Sequence, residues 1–285
     1  MSKKELTKQQ QIERSIITTY RTKLWAPFIR AIKEYQLIKP DDSICVCISG
    51  GKDSMLLAKL FQELKRHSDF EFDVKYLVMN PGYNEANLAH TKKNLEILGI
   101  DAKIIDTNIF EVAYSQDKNM CYLCAKMRRG ALYRLAKEMG CNKIALGHHY
   151  DDVIETILMN MLNAGSFQTM LPKLHSENYE GMELIRPLYF VREKDIKSWA
   201  KYNELKFIMC ACRFTEACSV DNEINMSQRL TTKNLIQILK KQYNENVEKN
   251  IFSTSCNINM DKVLGYKKDG IKHSYLEEYD KKIND

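Results

Sequence analysis

The sequence predicts an α/β protein: a parallel sheet with helices on both faces. Three observations carry this. Short apolar runs alternate with longer stretches of helical spacing. Several runs end at Gly, Asn or Pro, which punctuate such alternation. One run, Ser43-Ile44-Cys45-Val46-Cys47-Ile48, leads directly into the glycine-rich turn Ser49-Gly50-Gly51-Lys52-Asp53-Ser54 and then the helix-like Met55-Leu56-Leu57-Ala58-Lys59-Leu60-Phe61.

Each element has its own justification. Residues 9–38 read as mostly helical, since Ile12, Ile16, Ile17, Tyr20, Leu24, Phe28 and Ile32 recur near helical spacing and Pro27 kinks or splits the stretch. Pro40-Asp41-Asp42 breaks the chain before the first strand, whose unbroken apolar run suits burial on both faces. Residues 74–79 form a second strand, ended by Asn80-Pro81-Gly82. A helix over 85–98 closes at Gly99, and residues 102–105 make a third strand. A helix over 122–139 closes at Gly140, a fourth strand covers 143–147, and residues 152–163 are helical. The run Leu184-Ile185-Arg186-Pro187-Leu188-Tyr189-Phe190 precedes a helix at about 193–203. Residues 205–208 read as a short final strand leading to Cys210, and 225–242 as a helix. The last forty residues, rich in Asn, Lys and Asp, read as a frayed or disordered end.

The chain has 285 residues, 44% apolar and 28% charged, within the range of a soluble globular protein. No apolar run approaches the ~20 residues of a membrane span, and Met1-Ser2-Lys3-Lys4-Glu5 lacks the apolar segment of a signal peptide. A cytoplasmic protein with no membrane partner is expected. The net charge of +6 permits an acidic partner such as RNA without demanding one. Nine cysteines are many for a reducing compartment, which favours metal or redox roles over disulfides. Cys45, Cys47 and Cys141 sit among apolar residues and read as core.

The 49–54 turn has the character of a phosphate cradle. Glycines let the backbone approach an anion. The helix start presents unpaired N–H groups and a positive dipole end. Lys52 adds a point charge, and the hydroxyls of Ser49 and Ser54 add donors. The spacing is not that of a Walker loop; it matches the SGGxDS signature of enzymes that cleave ATP to AMP and pyrophosphate. In a parallel sheet ligands bind beyond the carboxyl ends of strands. Met79, at the end of the second strand, and Gly147-His148-His149-Tyr150-Asp151-Asp152, after the fourth, converge on the same crevice. The paired carboxylates Asp151 and Asp152 suit Mg²⁺ beside a triphosphate; the competing reading is an N-capping Asp beside a surface carboxylate. His148 reads as lining the pocket.

Cys121-Tyr122-Leu123-Cys124 allows a redox pair, half a zinc site or part of an iron–sulfur site. Cys210-Ala211-Cys212 follows 86 residues later. Two cysteines of the first motif and one of the second could hold three irons of a [4Fe-4S] cube, leaving the fourth open to an exogenous ligand such as sulfide. All four thiolates could instead close a structural zinc site. Lys126, Arg128 and Arg129, next on the same helix, read either as a solvated face or as contacts to RNA phosphates or the nucleotide, and the same two readings apply to Arg186 and Arg192, which flank Pro187.

In chain order, the 49–54 turn, Cys121-xx-Cys124 with Arg128-Arg129-Gly130, Gly147-His148-His149-x-Asp151-Asp152, Pro172-Lys173-Leu174 and Ile185-Arg186-Pro187-Leu188 with Arg192-Glu193-Lys194-Asp195-Ile196 closely resemble the TtcA family of tRNA 2-thiocytidine synthetases, within the TtcA/TtuA group of PP-loop tRNA thiolases. The resemblance covers roughly residues 15–215. It implies a Rossmann-like PP-loop ATPase fold of the HUP type over residues 41–220; the residues before it, at helical spacing, read as an N-terminal helical extension over 1–40, and those after it as a helical, partly disordered tail over 221–285. It implies ATP bound by Ser49, Gly50, Gly51, Lys52, Asp53, Ser54, Met79, Gly147, His148 and Asp151, with Mg²⁺, and catalysis by Lys52, Asp53 and Asp152. It implies a [4Fe-4S] cluster on Cys121, Cys124 and Cys210, with Cys212 the alternative third ligand because Cys-Ala-Cys stands where the family has Cys-x-x-Cys. The terminal zinc-finger cysteine pairs of the TtuA branch are lacking.

The implied substrate is tRNA at cytidine 32, held by Lys126, Arg128, Arg129 and Arg186. The implied assembly is a homodimer fed by a cysteine desulfurase or free sulfide. The implied reaction adenylates the C2 oxygen of the pyrimidine and then replaces it with sulfur. Two other readings fit the residues alone. One is a PP-loop ligase or amidotransferase acting on a small molecule, with a structural zinc. The other is a non-catalytic adenine-nucleotide sensor.

Overall fold

The computed structural model describes residues 6–115, 120–208 and 228–279. The chain divides into two compact units, Met1–Val153 with Met170–Ser227, and Ile154–Thr169 with Gln228–Asp285.

The first unit opens with helix α1, Lys8–Ile17. A reciprocal capping box starts it: the Gln10 amide donates to the Thr7 hydroxyl at 3.2 Å, and the Thr7 amide donates to Gln10 Oε1 at 3.0 Å. A π-helical turn, Arg21–Trp25, leads into α2, Ala26–Glu34. Pro27 lies in the first turn of α2, where a missing N–H costs nothing, so it opens a helix rather than bending one.

The sheet has five parallel strands, β1 (Ser43–Ile48), β2 (Asp73–Asn80), β3 (Ala102–Asp106), β4 (Lys143–Ala145) and β6 (Glu183–Ile185), with β5 (Lys173–His175) antiparallel at one edge. The order is β3-β2-β1-β4-β6-β5. The connecting helices are α3 (Lys52–His67), α4 (Glu85–Leu98), α5 (Ile109–Tyr114), α6 (Met120–Glu138), α7 (Tyr150–Ala164) and α8 (Glu193–Tyr202). On one face Cys45, Cys47, Leu77, Met79, Ile144 and Leu184 pack against Tyr133, Leu135 and Ala136 of α6. Cys45, Cys47 and Cys141 are buried there as free thiols. The Cys141 thiol alone would lower Cys45, but hydrogen bonding from Cys47, with burial, pushes Cys45 above its usual range; hydrogen bonding with Cys45, with burial, does the same to Cys141. Phe61 of α3 meets Phe28 of α2 edge-on at 5.7 Å.

Two expectations fail in this unit. Residues 205–208 are not a strand. The Lys206 carbonyl is taken by side chains of α4, His90 Nε2 at 2.8 Å and Asn94 Nδ2 at 2.9 Å, rather than by a ladder. The fourth strand ends at Ala145, two residues early, which frees residues 146–149 for the site. Strands β5 and β6, three residues each, are too short to show a period of two.

A buried ion network fastens the N-terminal helix to the domain. Lys59 Nζ, fully buried on α3, donates to Glu13 Oε1 at 2.7 Å and to the Leu98 carbonyl at 2.7 Å. Arg66 Nη1 reaches Glu13 Oε2 at 2.9 Å. Burial opposes the Glu13 charge, but hydrogen bonds from Arg66, Lys59 and Gln9 hold its pKa down to about 2. A depressed carboxylate contributes stability that is complete above the unfolded value of 4.5 and is lost as pH falls through 4.5 toward 2. E13Q is expected to cost about 3 kcal/mol near neutral pH, because it strips the buried Lys59 of its counter-charge. Urea midpoints of the two proteins should converge as pH falls toward 2; a constant gap would show that Glu13 acts by packing alone.

The second unit contains α9 (Gln228–Gln242), α10 (Val247–Thr254), a 3₁₀ turn at Met260–Lys262, a hairpin of β7 (Gly265–Lys268) and β8 (Ile271–Ser274), and α11 (Leu276–Tyr279). Lys240 ties α9 to α10 through Glu248 at 2.7 Å, and Arg229 reaches Glu155 of α7 at 3.4 Å. The expectation of a frayed end over the last forty residues is corrected through residue 279. The hairpin turns at Asp269-Gly270, both at positive φ (51° and 82°), the two-residue signature that a polar composition obscured.

Candidate functional site

Strand β1 lies between β2 and β4, and the chain runs outward from it in opposite directions. The crevice beyond the carboxyl ends of β1 and β4 is therefore the switch point of the sheet, where such folds bind ligands. The 49–54 turn occupies it.

Gly50 adopts φ +84°, and a Cβ there would stand 2.7 Å from Thr91 Oγ1 and 3.1 Å from Ile208 Cδ1. Gly51 is the N-cap of α3, and no side chain caps that helix. Its first N–H groups are left facing the crevice with the positive end of the dipole. Ser54 is buried and closes the loop from inside: its Oγ accepts from the Ser49 amide at 3.1 Å and donates to the Gly51 carbonyl at 3.0 Å. The Ser49 side chain stays exposed, and Tyr83 donates its hydroxyl to the Ser49 carbonyl at 3.1 Å.

Lys52 Nζ stands between two carboxylates, Asp53 Oδ2 at 3.0 Å and Glu193 Oε1 at 3.2 Å. Burial opposes its charge, yet the two carboxylates hold the ammonium pKa above the usual lysine value. Asp53 Oδ1 is buried and accepts no hydrogen bond among the described residues; His149 Nε2 lies 3.8 Å away. Gly147 presses the loop after β4 against the first turn of α3, since a Cβ there would be 3.1 Å from both Asp53 C and Ser54 N.

The two carboxylates after β4 have divided tasks. Asp152 forms a capping box with His149: the His149 amide donates to Asp152 Oδ2 at 2.9 Å, and the Asp152 amide to His149 Nδ1 at 3.4 Å. Asp151 grips the start of α8. Its Oδ1 accepts from Arg192 Nη2 at 2.9 Å, and its Oδ2 accepts from the Glu193 amide at 2.7 Å. This clamp presents Glu193 to Lys52. His148 is half-buried, and the Met79 side chain belongs to the core, so only the Met79 backbone stands at the strand end.

Cys124 lies on α6, half-buried against the core. Cys121 is on the same helix one turn earlier. Cys210 and Cys212 fall outside the described residues. Ile208, just before them, lies on the glycine turn. Among the described residues no three His, Cys, Asp or Glu side chains gather as a metal site. The donor chemistry still separates two groups: the unpartnered Asp53 oxygen suits a hard cation such as Mg²⁺, and the helix thiols suit iron or zinc. Lys126 and Arg129 are exposed and Arg128 half-buried on α6. Arg186 is half-buried, its amide tied to the Pro172 carbonyl at 2.9 Å and its guanidinium to the Leu171 carbonyl. Burial, with Arg129 nearby, pushes its pKa down to about 10.

Thr91, Tyr83, Glu193 and the capping role of His149 were not legible as parts of the site. Thr91, Tyr83 and Glu193 act through tertiary position; of the four, Glu193 and His149 stood in recognised stretches.

A family model described as a PP-loop domain matches residues 22–212. Over 186 residues the chain is 39% identical to a Neisseria meningitidis (serogroup C / serotype 2a) protein named tRNA-cytidine(32) 2-sulfurtransferase, covering 63% of this chain and 57% of that protein. Over 250 residues it is 36% identical to an Aliivibrio fischeri (strain MJ11) protein of the same name, covering 86% and 76%. The chain thus spans little more than half of the first relative's length. The U34-tRNA thiolase NcsA from Methanococcus maripaludis, solved with its [4Fe-4S] cluster, shares the fold at TM-score 0.60 and 20% identity, over 82% of this chain and 79% of that one.

Proposed function

The chain belongs to the PP-loop domain family, alongside relatives named tRNA-cytidine(32) 2-sulfurtransferase, and from that premise we propose that it is an ATP-dependent tRNA sulfurtransferase that replaces the C2 oxygen of cytidine 32 with sulfur. The observation that carries the reading is the cradle itself: an uncapped helix start behind a glycine turn at the switch point, with Lys52 held between Asp53 and Glu193.

ATP places its phosphates in this cradle. The C2 oxygen of the pyrimidine attacks the α-phosphorus, and the bond to pyrophosphate breaks. Lys52 and the first N–H groups of α3 hold the charge that grows on the departing pyrophosphate. Asp53 offers its buried Oδ1 to Mg²⁺, and Asp152 keeps the 147–152 loop in place through His149. Sulfur then displaces the adenylated oxygen, which leaves with AMP. Cys121, Cys124 and Cys210 or Cys212 would hold a [4Fe-4S] cluster, which when bound would present the sulfur for that displacement. Lys126, Arg128, Arg129 and Arg186 meet tRNA phosphates near a single-stranded loop whose bases can be splayed out. No helix among the described residues is long and apolar enough to cross a membrane. A cytoplasmic homodimer fed by a cysteine desulfurase or free sulfide completes the proposal.

The test uses the anaerobically purified protein. Iron, zinc and acid-labile sulfide are measured first, and then pyrophosphate release and 2-thiocytidine in unmodified tRNA supplied with ATP, Mg²⁺ and sulfide. About four irons and four sulfides per chain are expected, with pyrophosphate release that depends on tRNA. C124S should lose iron and thionucleoside while still binding ATP. Zinc near one per chain, with no iron after reconstitution and no thionucleoside, would overturn the reading in favour of a ligase with a structural zinc.

A further inference from the structure

The charge of this chain is distributed unevenly. Residues 1–40 hold nine Lys and Arg against three Glu, so they carry the whole net charge of +6; the remaining residues hold 34 against 34. Within the described part, Glu13 is consumed by Lys59 and Arg66, and Glu34 by Arg30 at 2.9 Å. Arg14, Arg21, Lys23 and Lys33 are exposed on α1, the π turn and α2, and make no ion pair among the described residues. So lopsided a balance marks a surface for a polyanion.

The same elements form a cleft of about 440 Å³ against the far end of α3. Its walls include Arg21, Trp25, Ile29, Lys33, His67 and Phe70, with Asp69 at the edge. The His67 side chain is 54% exposed and stands edge-on to Trp25 at 6.3 Å. Two cations beside the exposed rings of His67 and Phe70, with Trp25 itself buried, form a site where a base can stack while the flanking phosphates are neutralised. The π turn supplies Arg21 and Trp25 together, and such turns recur at functional sites.

We propose that this cleft is a second RNA-binding site, an anchor for a stretch of the tRNA outside the nucleotide being modified. The proposal rests on the reading of tRNA as substrate and adds where else that RNA is held. The cleft lies at the C-terminal end of α3, whose N-terminal end carries Lys52. Sixteen residues at ~1.5 Å each separate the two by about 24 Å, on the order of seven nucleotides at ~3.4 Å per strand phosphate. One RNA can therefore fill both sites.

Full-length unmodified tRNA and the whole protein provide the test, by fluorescence anisotropy across a salt series. R21E/K33E is expected to weaken tRNA binding at least tenfold and to flatten the slope of log affinity against log salt by about 1.4 to 1.8, at ~0.7–0.9 per lost phosphate contact. Its ATP affinity and melting temperature should be unchanged, because both side chains are exposed. K103E/K137E makes the same charge change at exposed positions away from the cleft and should lose much less. If wild type binds tRNA and R21E/K33E binds it equally, or if the control loses as much, the anchor is wrong and the substrate reading stands. If wild type binds no tRNA, both fall. If R21E/K33E instead loses capture of an acidic protein while binding tRNA normally, the surface serves a protein partner and the proposal is overturned.

Discussion

Replacing Lys52 by Ala is expected to lower tRNA-dependent pyrophosphate release by about 10²–10³-fold, the usual loss when one preorganised donor to a developing anion is removed. Two effects add. The departing pyrophosphate loses its nearest cation, and Asp53 and Glu193, held at 3.0 and 3.2 Å from the ammonium, are left as an uncompensated negative pair. The pair would repel a triphosphate, so KM for ATP should rise while kcat falls. K52R should recover little, because a planar fork does not replace a compact point charge between two carboxylates. The melting temperature separates this from misfolding. If the variant keeps near wild-type release with an unchanged melting temperature, the cradle is not where pyrophosphate leaves.

Gly50→Ala should have the second largest effect. The residue sits at φ +84°, where a side chain is strained, and its Cβ would stand 2.7 Å from Thr91 Oγ1. Thr91 cannot swing clear: it is fully buried, and its hydroxyl donates to the Asn87 carbonyl at 2.9 Å. Strain of this kind costs about 1–3 kcal/mol. The loop has a cheaper outlet than absorbing that cost, namely shifting off the helix start, so ATP affinity should fall more than tenfold with a melting temperature only a few degrees lower. Adding T91A should recover part of the stability, since it removes the clash but not the strained φ. Full ATP affinity in Gly50→Ala would show that the turn does not contact the phosphates.

The sequence was most informative where chemistry is local. The Ser43–Ile48 strand, the Glu85–Leu98 helix and the 49–54 turn were readable because a buried strand, a helix closed by an αL glycine and a glycine turn each leave a short-range pattern. Asp151 and Asp152 were singled out as a pair, but their separate tasks were not visible. One grips Arg192 and the Glu193 amide, 41 and 42 residues on; the other caps its own helix through His149. The reading of residues 205–208 as a strand failed for a related reason: an apolar run has no strand without a neighbour, and here side chains of α4 took the carbonyl a ladder would need. The hairpin at Asp269-Gly270 was missed because its strands are exposed and polar, so no alternation marked them.

By itself, then, the sequence determined the α/β class, the glycine turn after the first strand and the thiol residue types, because backbone permissiveness, periodicity and donor softness are properties of a few adjacent residues. The tertiary structure alone decided that Glu193, Tyr83, Thr91 and Ile208 surround that turn. It also decided that a cation-lined cleft lies one helix length away. These depend on which segments the sheet order brings together, and the free energy that fixes that order is spread over the whole buried core rather than written at any one position.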